Sequence, residues 1–193
     1  MKHPLPTGLG KVQPGAIGNM HTNTMFGWLM DHSPLGRKYR KLTGDKVGKC
    51  PSHSVMFVPD GDDNLCVGDV TVPVCFWMPW TNFASKIQSG AYSNVRLLRV
   101  AGSTVDQRNA AAKWWNDHVH NSPYDIFAYP KLVAQVLFGW RFTSEDGFSF
   151  AHYCTEANKE AWNNVMAPNI YPINSTPVTE IELWKKGRLE EIT

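Results

Sequence analysis

Ser52-His53-Ser54-Val55-Met56-Phe57-Val58, then Pro59-Asp60-Gly61-Asp62-Asp63-Asn64, then the run from Leu65 to Val72, is the stretch on which the fold turns. Residues 53–58 and 65–72 are apolar and rich in β-branched side chains. The segment between them supplies the Pro, Asp, Gly and Asn of a multi-residue turn, so the pattern predicts a β-hairpin. A turn centred near Asp62 sets Val55 opposite Asp69. Side chains alternate along a strand, which puts Asp69 on the same face as His53, one diagonal step away. A slip of one residue would send Asp69 to the other face.

Working outward, residues 1–20 are rich in Gly and Pro and read as an irregular arm. Residues 21–46 hold a short apolar patch (Met25, Phe26, Trp28, Leu29, Met30) that predicts one short helix. Pro73 and Pro79 confine the next extended piece to Val74–Met78. Residues 82–89 fit one or two helical turns, and Asn94 to Val100 reads as a strand. Thr104-Val105-Asp106-Gln107 has capping-box spacing, and Ala110, Ala111, Trp114, Trp115 and Val119 follow near a 3.6-residue period. Pro123 is expected to end that helix. A second apolar helix is expected over 126–139, broken by Pro130 and closed by Gly139, and an extended piece from Phe148 to Tyr153. A helix over 154–166 has Ala157, Ala161 and Val165 on one face and Pro168 as its stop. The tail carries Pro172, Pro177 and a short apolar-polar stretch from Ile181 to Trp184.

The 193 residues suffice for a single domain with a full core, spanning 1–193. Within it, 1–48 reads as arm and short helix and 50–185 as the catalytic core. A formal charge of +2 gives no sign of a nucleic-acid surface. The basic run Arg37-Lys38-Tyr39-Arg40-Lys41 reads as a solvated face. Eight Trp and nine Phe fill a compact core or line a groove for an extended or acyl substrate. The four cysteines (Cys50, Cys66, Cys75, Cys154) form no paired motif. Cys50-x-x-His53 has zinc-ligand spacing, but no second tight pair follows it, so no metal is expected. The opening Met-Lys-His-Pro-Leu-Pro-Thr-Gly lacks the apolar stretch of a signal peptide, and no apolar run approaches ~18 residues. The expectation is a chain made in the cytoplasm with reduced thiols and no integral membrane segment. A phage product delivered by holin, tail or lysis fits as well.

Phe150-Ala151-His152-Tyr153-Cys154-Thr155-Glu156-Ala157-Asn158 sets one thiol apart. Cys154 falls on the first turn of its helix, where unpaired N–H groups and a partial positive charge favour a thiolate. Thiol catalysis needs a base for that nucleophile and a third group to orient the base. His53, far upstream at the start of an apolar strand, is the base candidate, and Asp69 is the orienting carboxylate. Thr71, directly across from His53 in the same register, is the next candidate for the third member. His152 competes as base, but the chain has already entered the helix at Cys154. His118 and His120 sit at the end of the capped helix, where contact with the C-terminal dipole is the simpler role.

Four of these segments together resemble the permuted papain-like amidohydrolases, the YiiX-like group related by circular permutation to NlpC-type cell-wall peptidases and lecithin retinol acyltransferase. Ser52-His53-Ser54-Val55-Met56 is similar to that group's S-H-V-G-I strand. Arg96–Val100, the Thr104–Gln107 cap and Ser122-Pro123-Tyr124-Asp125 follow its order of strand, capped helix and G-x-P-Y-D. Tyr153-Cys154-Thr155-Glu156 is similar to its Y-C-S-E motif. Thr176-Pro177-Val178 resembles its T-P-x-D-L tail, with Thr179 where an acidic residue is usual. The resemblance covers residues 50 to 185. It departs from the pattern at Met56, where the group has a small residue.

The resemblance implies Cys154 as nucleophile, His53 as base and Asp69 as the nearest match to the third polar residue. It implies an α+β, circularly permuted papain-like fold: an antiparallel central sheet of five or six strands with the nucleophile helix packed against it, and the His strand and its neighbours giving the sheet edge that faces Cys154. The expected activity is a cofactor-free thiol amidase or peptidase that works through an acyl-enzyme on a peptide, amide or acyl substrate, with peptidoglycan among the targets. The alternatives are a lipid acyl hydrolase or acyltransferase of the same superfamily, or a non-catalytic phage scaffold that keeps the fold.

Overall fold

The computed structural model describes residues 3–45, 48–124, 133–134, 138, 154–172 and 175–193. The hairpin forms in the predicted register. His53–Pro59 (β2) runs antiparallel to Leu65–Asp69 (β3), pairing Met56 with Gly68, Phe57 with Val67, Val58 with Cys66 and Pro59 with Leu65. Asp60 organises the turn: its Oδ1 accepts from the N–H groups of Asp62 and Asn64, both at 2.9 Å. This is the Asx-type bonding that makes Asp a turn residue.

Four more strands extend the hairpin into a six-stranded antiparallel sheet. They are Ile17–Thr22 (β1), Phe76–Met78 (β4), Tyr92–Val100 (β5) and Leu189–Glu191 (β6), and the order is β4-β3-β2-β1-β5-β6. Two sequence expectations are corrected here. Residues 17–22, expected in an irregular arm, form a central strand between β2 and β5. The His strand, expected to give a sheet edge, is an interior strand, so its His meets other elements at the strand's end.

Among the described residues six α-helices clothe the sheet: Met25–His32 (α1), Pro34–Thr43 (α2), Trp80–Gln88 (α3), Val105–His118 (α4), Cys154–Asn163 (α5) and Pro177–Lys185 (α6). Met56 and Val58 pack on one face of β2 with Ile17, Leu98, Trp115 of α4 and Ala157, Ala161 and Trp162 of α5. Val55 and Phe57 pack on the other face with Met20, Val67, Leu97 and Phe83 of α3. Both faces are covered, which explains why β2 reads as an unbroken apolar run rather than an alternating one. A third cluster joins Met30 of α1, Tyr39 of α2 and Val178 and Ile181 of α6.

Helix limits also differ from expectation. The Thr104 capping box forms as read, but α4 closes at His118, well before Pro123. Trp115 O accepts the N–H groups of both Val119 and His120, Asn121 takes a positive φ of 64°, and Ser122 Oγ donates to Val119 O at 2.6 Å, so the chain turns away before the proline. The region expected to be one short helix holds two, α1 and α2, with Ser33 capping the second through its hydroxyl. The Cys helix stops at Asn163 rather than residue 166, because the Asn163 side chain accepts from the N–H groups of Ile170 and Tyr171 and turns the chain back. The helix expected over 126–139 falls almost wholly outside the described residues, and the strand expected over 148–153 entirely so.

Gly68 tests how tightly this core is filled. A Cβ at that position would lie 2.7 Å from two ring atoms of Trp115, which is itself fully buried. Gly68→Ala is expected to lower stability by roughly 1–3 kcal/mol through overpacking, seen as a lower urea midpoint at an unchanged slope. A wild-type midpoint would show that the indole has room to move.

Candidate active site

The register places His53 and Asp69 on one face, and their side chains meet. His53 Nε2 lies 2.7 Å from Asp69 Oδ1. The Asp69 side chain is only 2% exposed, so water does little to screen the pair. Its second oxygen, Oδ2, accepts from Tyr92 OH at 3.2 Å and faces Lys86 Nζ at 3.8 Å. Lys86 is itself 3.0 Å from Tyr92 OH, so α3 and β5 brace the carboxylate from the side away from His53.

Cys154 opens α5 and is buried. It lines the same cleft as His53, where β2 and α5 both begin. With Nε2 committed to Asp69, Nδ1 is the ring nitrogen left for the sulfur. The electrostatics follow from this row of three groups. Burial alone would push the imidazolium toward neutrality. The charge and hydrogen bond of Asp69, with smaller contributions from Cys154, outweigh it and raise His53 to about 10. Burial likewise works against the Asp69 carboxylate, but His53, then Lys86 and Tyr92, hold it below the usual range. His53 is therefore a cation at neutral pH, donating from Nε2 to an ionised Asp69.

The other thiols sit in different surroundings. Burial, with Asp31 adding to it, pushes Cys50 up to about 12. Burial and Asp60 do the same to Cys66, up to about 12. Cys75 is also raised by burial, against a hydrogen bond from the Ser122 hydroxyl. Cys50 lies close in sequence to His53, but no group of three or more His, Cys, Asp or Glu among the described residues is arranged to hold a metal ion.

A cleft of about 500 Å³ opens over the three groups. Thr22, Asn23, Thr24, Ser52 and Thr71 bring polar side chains to it, Phe26, Val70 and Val72 bring apolar ones, and Lys86 and Tyr124 stand on its wall. Thr71 thus borders the cleft, while Asp69 makes the contact to His53. His152 lies outside the described residues. His118 Nδ1 lies 2.9 Å from Trp114 O in the last turn of α4, and His120 stacks on Trp77 with centroids 3.7 Å apart. The basic run on α2 is a supporting surface: Lys38 pairs with Glu182 and Arg40 donates to Asp31 O.

Sequence reasoning missed Tyr92, Lys86, Ser54, Asn158 and Glu180. Tyr92 and Lys86 reach the site from distant elements and carry no local signal. Glu180 had a faint one: the tail motif lacks its acid at Thr179, and the acid stands one position later.

No protein-family model matches the chain, and no curated protein matches it. Among solved structures it is similar to the metalloprotein YiiX of Escherichia coli O157:H7, described as DUF1105. The TM-score is 0.53 at 16% identity, over 93% of this chain and 86% of that one. The chain therefore has an α+β fold similar to that of YiiX, built on a six-stranded antiparallel sheet. No helix among the described residues is long and apolar enough to cross a membrane.

The His53–Asp69 pair makes stability depend on pH in a defined way. His53 is raised on folding, so its contribution is whole below its unfolded value of ~6.5 and fades as pH climbs through the folded value of about 10. Asp69 is lowered, so its contribution is whole above ~3.9 and is lost as pH falls through its folded value. The stability gap between wild type and Asp69→Asn in urea should be widest between pH ~4 and ~6.5 and narrow on both sides. A gap that ignores pH would contradict the pairing.

Proposed function

We propose that the chain is a cysteine hydrolase that cleaves an amide or peptide bond through an acyl-enzyme on Cys154, with His53 as acid and base and Asp69 as the group that orients it. The observation that carries this reading is the row Asp69–His53–Cys154 at the floor of a cleft, with a buried 2.7 Å contact fixing the imidazole. The Cys154 thiolate attacks the carbonyl carbon, and the oxyanion that forms is met by the backbone N–H of Cys154 at the helix start. His53 gives its Nδ1 proton to the leaving amine as the C–N bond breaks. Neutral His53 then takes a proton from water, whose oxygen attacks the thioester, and the acid departs as Cys154 is restored. Asp69 keeps its proton count throughout and steadies the imidazolium.

The hydroxyl and amide groups of the cleft favour a substrate with its own hydrogen-bonding backbone. A peptide, including a peptidoglycan stem peptide, offers that backbone, and Phe26, Val70 and Val72 in the same lining would meet its apolar side chains. The fold shared with YiiX supports the architecture of this reading and leaves its chemistry to assay.

Two experiments test it. Adduct mapping with iodoacetamide at pH 6 should find Cys154 first, because Cys50 and Cys66, at about 12, are protonated there. His53→Ala should remove that selectivity, and prior labelling of Cys50, Cys66 or Cys75 would overturn the assignment. On muropeptide substrates Asp69→Asn should lower kcat by ~10²-fold or more with little change in KM, and by less than Cys154→Ala. An Asp69→Asn enzyme as active as wild type would remove Asp69 from the site.

A further inference from the structure

Ser54 follows His53 on β2, so it faces the opposite side of the sheet, toward α5. Its hydroxyl lies 2.8 and 2.7 Å from Glu180 Oε1 and Oε2 and accepts from Asn158 Nδ2 at 2.7 Å. Asn158 stands four residues after Cys154, one turn along the same helix face. Its Nδ2 also reaches Glu180 Oε1 at 3.1 Å. Asn19 of β1 donates to Oε2 at 2.7 Å, and Tyr171 OH donates to Oε1 at 3.4 Å. One fully buried carboxyl on α6 thus gathers donors from β1, β2, α5 and the segment after it.

The arrangement is costly. Both Asn19 and Asn158 turn their amide nitrogens to Glu180, and each leaves a buried Oδ1 with no partner among the described residues. A junction that served stability alone would be better filled with apolar side chains. What this junction does hold is relative position: Ser54 is the neighbour of His53, and Asn158 is one turn from Cys154.

We propose that Glu180 is a positioning residue, a buried clasp that acts through Ser54 and Asn158 to set the start of the Cys154 helix against the His53 strand, so that sulfur and imidazole are at reacting distance before substrate arrives. The proposal rests on Cys154 being the nucleophile. Small displacements of reacting groups slow reactions out of proportion to their size. Loss of the clasp should therefore act on the rate at Cys154 more than on folding.

The test uses the full chain and iodoacetamide as probe, with the second-order rate at Cys154 followed from pH 5 to 9 beside circular dichroism and thermal melting. Glu180→Gln keeps the shape of the side chain and replaces one of the two accepting carboxyl oxygens with an amide donor. Expected is a folded protein whose Cys154 rate at pH 7 drops roughly ten- to a hundredfold, with a pH profile that differs in shape from the wild type's. Ser54→Ala should do the same, and the double variant should lose no more than the larger single loss, because the two act as one unit. If Glu180→Gln melts too low to assay, Ser54→Ala is read on the same terms. A folded variant that melts lower yet labels at the wild-type rate and profile would overturn the proposal and leave Glu180 a stabilising residue only. Wild-type Cys154 labelling no faster than the other three thiols would instead overturn the nucleophile reading, and the clasp with it.

Discussion

Burial on both faces of β2 is the constraint from which the rest follows. Its side chains point alternately into two separate hydrophobic clusters. A slip of one residue would exchange those sets and drive His53 and Ser54 into each other's surroundings. The strand therefore has one register, and that register sets His53 beside Asp69 and Ser54 beside Asn158 and Glu180. The same apolar packing that makes the core also makes the site, because both are read off consecutive residues of one strand.

The polar groups are sorted by that alternation. His53, Asp69, Tyr92 and Lys86 gather at the cleft, where charge is opposed by charge. Ser54, Asn158, Asn19, Tyr171 and Glu180 gather on the other side of β2, in a buried network without access to the cleft lining. Breaking a buried charged pair by removing one partner typically costs ~3–5 kcal/mol, since the survivor is stranded. The buried network at Glu180, whose donors are all neutral, carries the separate desolvation cost of buried polar groups on the adjacent residue. Their expense is the physical reason to look for function on both sides of the strand.

Much of this was legible in the sequence, and the reasons are local. The hairpin register followed from a turn whose Asp60 bonds the backbone where it should, and the Thr104 cap from spacing alone. β1 escaped notice because Gly18, Asn19 and His21 break its apolar pattern. Asn19 donates to Glu180, and His21 Nδ1 contacts Cys50 O, so polar residues occupy buried places for reasons that lie far along the chain. Glu180 escaped for the same reason: an acid within an apolar stretch looks solvent-facing until its donors are in place. The ends of α4 and α5 were misjudged because local bonding, a backbone turn through Asn121 in the first and the Asn163 side chain in the second, ends them before the prolines downstream.

The central claim is that Asp69, His53 and Cys154 form one electrostatic unit in the resting protein. The titration of His53 followed by nuclear magnetic resonance tests it most directly, since the imidazole sits between the other two. The expected midpoint is near 10 in the wild-type chain; it falls when Cys154 is replaced by Ala and falls further when Asp69 is replaced by Asn. A midpoint near the ordinary ~6.5 that neither substitution moves would contradict it.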